Sequence, residues 1–179
     1  MKKTAIAIFG CLLVALSLQV NAATWNFNGH TYEYVSTDGW VPWSEAAGMA
    51  EAMGGYLATL TSEEENQWVY DNVVVPANLA SEHQAWLGGY RENVGDWKWV
   101  TGETWDYTKW GPGEPNNAGG VEYGMTIHRY NDATWNDEGA WQDGISGFIV
   151  EKSAKVPDGG FTALLLGMTL SSLGFIRRR

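Results

Sequence analysis

Apolar and polar residues largely alternate from Thr24 to Val35, on either side of an Asn28-Gly29 pair. A period of two around an Asn-Gly pair predicts a β-hairpin. The period changes over 43–53, where Ala46, Ala47, Ala50 and Met53 share one helical face. Ser44 is placed to cap that helix and Gly54-Gly55 to end it. Residues 56–60 read as a short strand. Ser62 opens a second helix, Glu65 completes a capping box, and the helix runs through 66–75 until Pro76 stops it. Past Pro76 no helical period survives. Residues 85–89, 97–100, 123–130 and 147–151 are strand-like, and 101–120 is a long stretch of Gly, Pro, Asn and Trp. Loops of that length inside a compact domain are usually functional. The order predicts an α+β domain whose ends come together.

The two ends carry a different pattern. Met1-Lys2-Lys3, an apolar run over 5–18 and Val20-Asn21-Ala22 predict a signal peptide over 1–22, cut after Ala22 or Ala23. Cys11 comes too early to be a lipid-attachment site. At the far end Val156-Pro157-Asp158-Gly159-Gly160 leads into the uncharged stretch 161–176, then Arg177, Arg178 and Arg179. The stretch is slightly short of the ~20 residues of a full span, which tilt and arginine snorkelling accommodate, with the arginines cytoplasmic. Residues 23–155 are left as one domain, and 156–179 as a separate tail.

Composition changes this picture in two ways. Lys2, Lys3 and the three terminal arginines are five of the 11 basic residues, and Asp158 is the one acidic residue of 21 in the ends. Six bases against twenty acids leave the middle at about −14, against −10 for the whole chain. Such a surface repels nucleic acid and suits cations. The only cysteine, Cys11, lies in the signal, so the domain is disulfide-free. Eleven Trp and 22 Gly favour short aromatic strands joined by glycine turns.

The candidate chemistry is Glu114-Pro115-Asn116, Glu122 and Trp135-Asn136-Asp137. Carboxylate and amide oxygens are what Ca²⁺ prefers. A cis bond before Pro115 would aim Glu114 and Asn116 the same way. An Asn amide offers oxygen to a metal and N–H to a hydroxyl, so a vicinal diol could meet ion and ligands together. By itself, Glu-Pro-Asn reads equally well as a polar turn. His30, His83 and His128 lack metal-ligand spacing. No nucleophile–base pair or phosphate loop can be assembled, so the chain is not read as an enzyme. The tryptophans read as core, with Trp105 and Trp141 the exceptions to test as sugar platforms.

Seven pieces occur in order: Trp43-Ser-Glu-Ala-Ala, Gly54-Gly55-Tyr-Leu-Ala-Thr-Leu, Ser62-Glu-Glu-Glu-Asn66, Trp86-Leu-Gly-Gly, Trp97-Lys-Trp99, Gly113-Glu-Pro-Asn-Asn117 and Trp135-Asn-Asp137. Through them the middle, from about Trp25 to Glu151, resembles the C-type lectin family. The resemblance implies a fold of two helices, two small antiparallel sheets and a long loop region. It also implies one principal Ca²⁺ site at Glu114, Asn116, Glu122, Asn136 and Asp137, with Glu114, Asn116, Glu122 and Asn136 touching sugar. The Glu-Pro-Asn form is similar to that of mannose, glucose or N-acetylglucosamine binders, so the implied partners are glycans with vicinal equatorial hydroxyls.

Two departures stand out. The family's half-cystines fall at Ala50 with Val150 and at Gly124 with Ala140, which implies packing in place of cross-links worth typically ~2–4 kcal/mol each. At the accessory Ca²⁺ site, where the family carries acids, this chain has Arg91 or Tyr90, Val94 or Asn93, Asn117 and Tyr123. The tail resembles the sorting signals of exosortase-processed bacterial surface proteins, with Gly159 where a Ser is commoner. That resemblance implies signal peptidase and a sorting enzyme as partners, transient inner-membrane anchoring, and display on a Gram-negative surface or matrix. The expectation is a calcium-dependent carbohydrate-binding module; a lectin-like structural or protein-binding domain is the alternative.

Overall fold

The computed structural model describes residues 24–37, 39–80, 83–139 and 145–153. The hairpin forms where the alternation places it. Strands β1 (Trp25–Phe27) and β2 (His30–Ser36) pair antiparallel. Asn28 and Gly29 between them have φ of 47° and 83°, the left-handed pair that a tight hairpin turn needs.

Helix α1 (Trp43–Ala52) buries Ala46 and Ala50, but Ser44 is not its cap. The extended Pro42 is the N-cap, and its carbonyl accepts from Glu45 N and Ala46 N at 3.0 Å each. The helix therefore starts one residue before the serine. Strand β3 is only Tyr56–Leu57, because Thr59 N turns away to Glu151 Oε2 at 2.8 Å. Helix α2 (Glu63–Val69) is capped by Ser62, whose Oγ accepts from Glu65 N. The capping box closes one residue further out than expected: Glu65 Oε2 accepts from Thr61 N at 2.7 Å. The helix continues as a π segment, Tyr70–Val74, and a last turn, Val75–Ala77, that contains Pro76 and ends at left-handed Asn78.

Five more strands follow: β4 (Gln84–Arg91), β5 (Trp97–Trp99), β6 (Glu122–Ile127), β7 (Trp135–Gly139) and β8 (Ile145–Ser153). The expected pair of small antiparallel sheets is replaced by one mixed sheet in the order β1-β2-β8-β4-β6-β7, with β3 on β8 and β5 on β4. β8 fuses the halves, running antiparallel to β2 and parallel to β4. β2 beside β8 brings the domain's two ends together.

Alternation along β4 and β8 divides the core. Ala85, Leu87 and Ile149 face the α2 side with Trp99 and Trp135; Trp86, Phe148 and Val150 face the α1 side. At Ala50 with Val150, and on the Gly124 side of the second pair, packing stands where the resemblance implies a cross-link. Ala50 and Val150 are fully buried in one apolar cluster. A Cβ on Gly124 would lie 2.7 Å from Trp43 Cδ1 and 2.8 Å from Trp86 Cζ3, so two indoles fill that space. No helix among the described residues is long and apolar enough to cross a membrane. The signal at 1–22, Ala140, Trp141, the sorting motif at 156–160 and the stretch 161–176 lie outside the described residues.

Candidate functional site

β7 carries the site, and Trp135 fixes β7. Its buried ring meets Trp99, Tyr107 and Trp110 edge-on at 5.4–5.8 Å. Its Nε1 donates to Asn66 Oδ1 of α2 at 2.6 Å. On the other edge, Trp135 N donates to Lys109 O, and Gly111 N to Trp135 O, at 2.8 Å each. The long loop is thus tied to the strand just before Asn136 and Asp137. Trp97, Trp99, Trp105 and Trp110 all belong to this aromatic cluster, Trp105 packing 4.6 Å from Trp99.

The structure brings the acidic loop and β7 together. The Glu114–Pro115 peptide bond is cis. Asp137 accepts from the loop backbone through both oxygens, from Asn116 N at 2.9 Å and Asn117 N at 3.0 Å. Glu122 Oε2 accepts from Ala118 N at 2.6 Å, and Glu114 Oε2 from Asn116 N at 3.0 Å. Asn116 is exposed and Glu114 half-buried, whereas Glu122, Asn136 and Asp137 are buried. Asn136 turns inward: its Nδ2 donates to Glu138 Oε1 at 3.0 Å and Gln84 Oε1 at 3.3 Å. Its N–H groups are therefore engaged within the sheet.

Arg91 stands among the positions compared with the accessory cation site. Its Nη2 donates to Asp137 Oδ2 and its Nε to the Glu122 carbonyl, both at 2.9 Å. The guanidinium lies 5.0 Å from the centroid of Trp97. A fixed organic cation therefore bridges β4 to the two acid-bearing strands.

Three participants were not read from the sequence. Tyr130 OH donates to Glu114 Oε1 at 2.5 Å, a bond that pushes the Tyr130 phenol up to about 12. Gln84 Nε2 donates to Glu138 Oε1 at 2.7 Å, and the pair holds the Asn136 amide. Burial pushes the Glu138 carboxyl up. Glu138 was the legible one: two residues after Asn136 on a strand, it must share that residue's face. Tyr130, reached through a loop turn, left no periodic signal.

Burial raises Glu122 to about 7, and the charges of Asp137, Glu138 and Glu114 add to the rise against the Ala118 N–H. The neighbouring Glu114, Glu122 and Asp137 carboxylates, with the Asn116 and Asn136 amides, offer oxygen donors, the kind that Ca²⁺ takes. The fit relies on the Asn amides as well: among the described residues no three His, Cys, Asp or Glu side chains converge as a metal-holding group.

A mixed sheet flanked by two helices, with a long loop folded onto an Asn-Asp strand, defines a C-type lectin-like module. The model of the Lectin C-type domain family matches residues 40–143, and the chain belongs to that family. A perlucin-like protein of Mytilus galloprovincialis is 36% identical over 97 residues, 53% of this chain and 60% of that protein. Halomucin of Haloquadratum walsbyi is 31% identical over 158 residues, 76% of this chain but 2% of its own length. The chain thus spans less than two thirds of both relatives. Among solved structures, the lectin CEL-I of Cucumaria echinata superposes with a TM-score of 0.63 at 23% identity, over 72% of this chain and 93% of that one. A calcium-independent type II antifreeze protein gives 0.60 at 25%, over 73% and 91%.

Proposed function

We propose that the chain is a calcium-dependent carbohydrate-binding module of the mannose, glucose or N-acetylglucosamine type. Glu114, Asn116, Glu122, Asn136 and Asp137 would hold one Ca²⁺. The ion, when bound, supplies coordination positions for two neighbouring hydroxyls of a sugar. The observation that carries the reading is the bonding of Asp137 to the backbone of Asn116 and Asn117, which joins the two halves of the motif. Arg91 in the accessory position supports one calcium site, not several. Retention of the full-length protein on a mannose resin tests the reading: calcium is required, and EDTA abolishes retention. Retention that survives chelation contradicts it.

A second reading, a lectin-like domain that binds protein or serves structure without reading sugar, is favoured by one observation. The Asn136 amide N–H groups are already engaged by Gln84 and Glu138. Silence on a glycan array, with a calcium-independent protein partner, supports it.

The proposal extends to location. The signal over 1–22 and the Val156-Pro157-Asp158-Gly159-Gly160 tail support export, transient anchoring at the inner membrane, cutting by a sorting enzyme, and display on a bacterial surface or matrix. Mass spectrometry of the surface-extracted protein should find it without the first 22 residues and without 161–176. A surface form that keeps both ends contradicts this route.

A further inference from the structure

A cavity of about 250 Å³ opens between the start of α1 and the β4–β6–β7 part of the sheet. Pro42, Trp43, Trp86, Tyr90 and Gly124 supply apolar wall, and Glu138 supplies a carboxylate. The wall is held in place: Trp43 Nε1 donates to Leu87 O and Trp86 Nε1 to Val41 O, at 2.8 Å each. Trp43 and Tyr90 pack with ring centroids 5.3 Å apart.

Glu138 is the odd member. It pairs with Gly124 across β6 and β7, so its side chain leaves the sheet on the face where Trp43 and Trp86 abut that glycine. It is 5% exposed. Oε1 takes both available amide donors, from Gln84 and Asn136, and the buried Oε2 has no hydrogen-bond partner. Arg91 also lines the cavity, but it is spent on Asp137 and the Glu122 carbonyl. A buried acceptor without a donor costs free energy that a matching donor recovers. Such an atom beside a preformed aromatic cavity marks a place for a ligand.

We propose that this cavity binds a small protonated primary amine with a compact apolar or aromatic body. The ammonium donates to Glu138 Oε2, the carboxylate oxygen that the Gln84 and Asn136 amides leave without a donor. The hydrocarbon lies against Trp43 and Tyr90, whose ring faces also favour a cation. Arg91, the basic residue of the lining, is neutralised by Asp137, which leaves Glu138 as the acidic group facing the cavity and favours an amine over an anionic body. The cavity lies behind the proposed sugar site, shares Glu138 with the support of Asn136, and requires no calcium.

The test is calorimetric titration of the full-length protein, in calcium-free buffer, with benzylamine and with benzyl alcohol as its neutral counterpart. Benzylamine should bind saturably, and at least about tenfold more tightly than the alcohol, the ratio expected when one charge-assisted hydrogen bond is lost. Nitrogen-15 spectra should show the Trp43 indole N–H shifting with the same saturation. Glu138→Gln keeps an oxygen for Gln84 and Asn136 but can present an N–H in place of Oε2, and should weaken benzylamine by a similar factor. Equal binding of amine and alcohol by the wild-type protein, or no saturable binding of benzylamine, overturns the proposal whether or not the variant folds.

Discussion

Arg91 Nη2 lies 2.9 Å from Asp137 Oδ2, and the two side chains are 2% and 0% exposed. The pair ties the centre of the sheet to the strand that holds Asn136 and Asp137. Removing one partner of such a pair strands the other charge without compensation. Arg91→Met should therefore lower stability by about 3–5 kcal/mol in urea unfolding. A loss below about 1 kcal/mol would show that the pair does not organise the site.

Gly124 tests whether packing replaces a cross-link. A methyl there meets Trp43 and Trp86 at under 3 Å, and both rings are anchored by their indole N–H groups. Gly124→Ala should cost about 1–3 kcal/mol, the usual range for an overfilled core. An unchanged unfolding midpoint would mean that the space is not tightly filled.

Glu151 gives a pH signature. It accepts from Thr59 N at 2.8 Å and Tyr56 OH at 2.9 Å and pairs with His30. Burial outweighs these bonds and pushes its carboxyl up. A raised value means that the folded state holds a proton the unfolded chain releases from about pH 4.3 upwards. That stability is complete below the unfolded value and is lost as pH rises through the folded one. Glu151→Gln should then show a smaller fall in Tm between about pH 4 and pH 8 than the wild type. Parallel curves for the two proteins would rule out this linkage.

Much of the frame was legible because local chemistry decided it. Asn28-Gly29 permits only a narrow set of hairpin turns, and Ser62 caps α2 as its position demands. β7 was not legible. Trp-Asn-Asp-Glu-Gly has little strand character, and its extension comes from pairing with β6 and from the anchors on Trp135. The five candidate site residues come from a motif resemblance, and spacing alone left Glu-Pro-Asn as readily a turn. Arg91 was visible as a departure, but its ion pair with a residue 46 positions away exists only after the sheet is assembled. Glu65 bonding Thr61 in place of Ser62 shows the limit at the other scale, since one residue of register lies below what a capping pattern resolves.

Tyr130 competes for Glu114. Its hydroxyl occupies Glu114 Oε1 at 2.5 Å, and a metal drawing on that oxygen must weaken the bond. A hydrogen bond to a charged group contributes about 1.5 kcal/mol, close to one factor of ten in affinity. Tyr130→Phe should bind Ca²⁺ up to about tenfold more tightly in a calorimetric titration. Weaker binding would instead make the phenol a support that positions Glu114 for the ion.

The most direct measurement is retention of full-length wild type and Glu114→Gln on a mannose resin, with calcium and then with EDTA. Wild type should be retained only with calcium, and Glu114→Gln should pass through in both buffers with its fold intact by circular dichroism. Retention of either protein in EDTA, or of the folded variant at wild-type strength in calcium, would contradict a sugar site built on these residues.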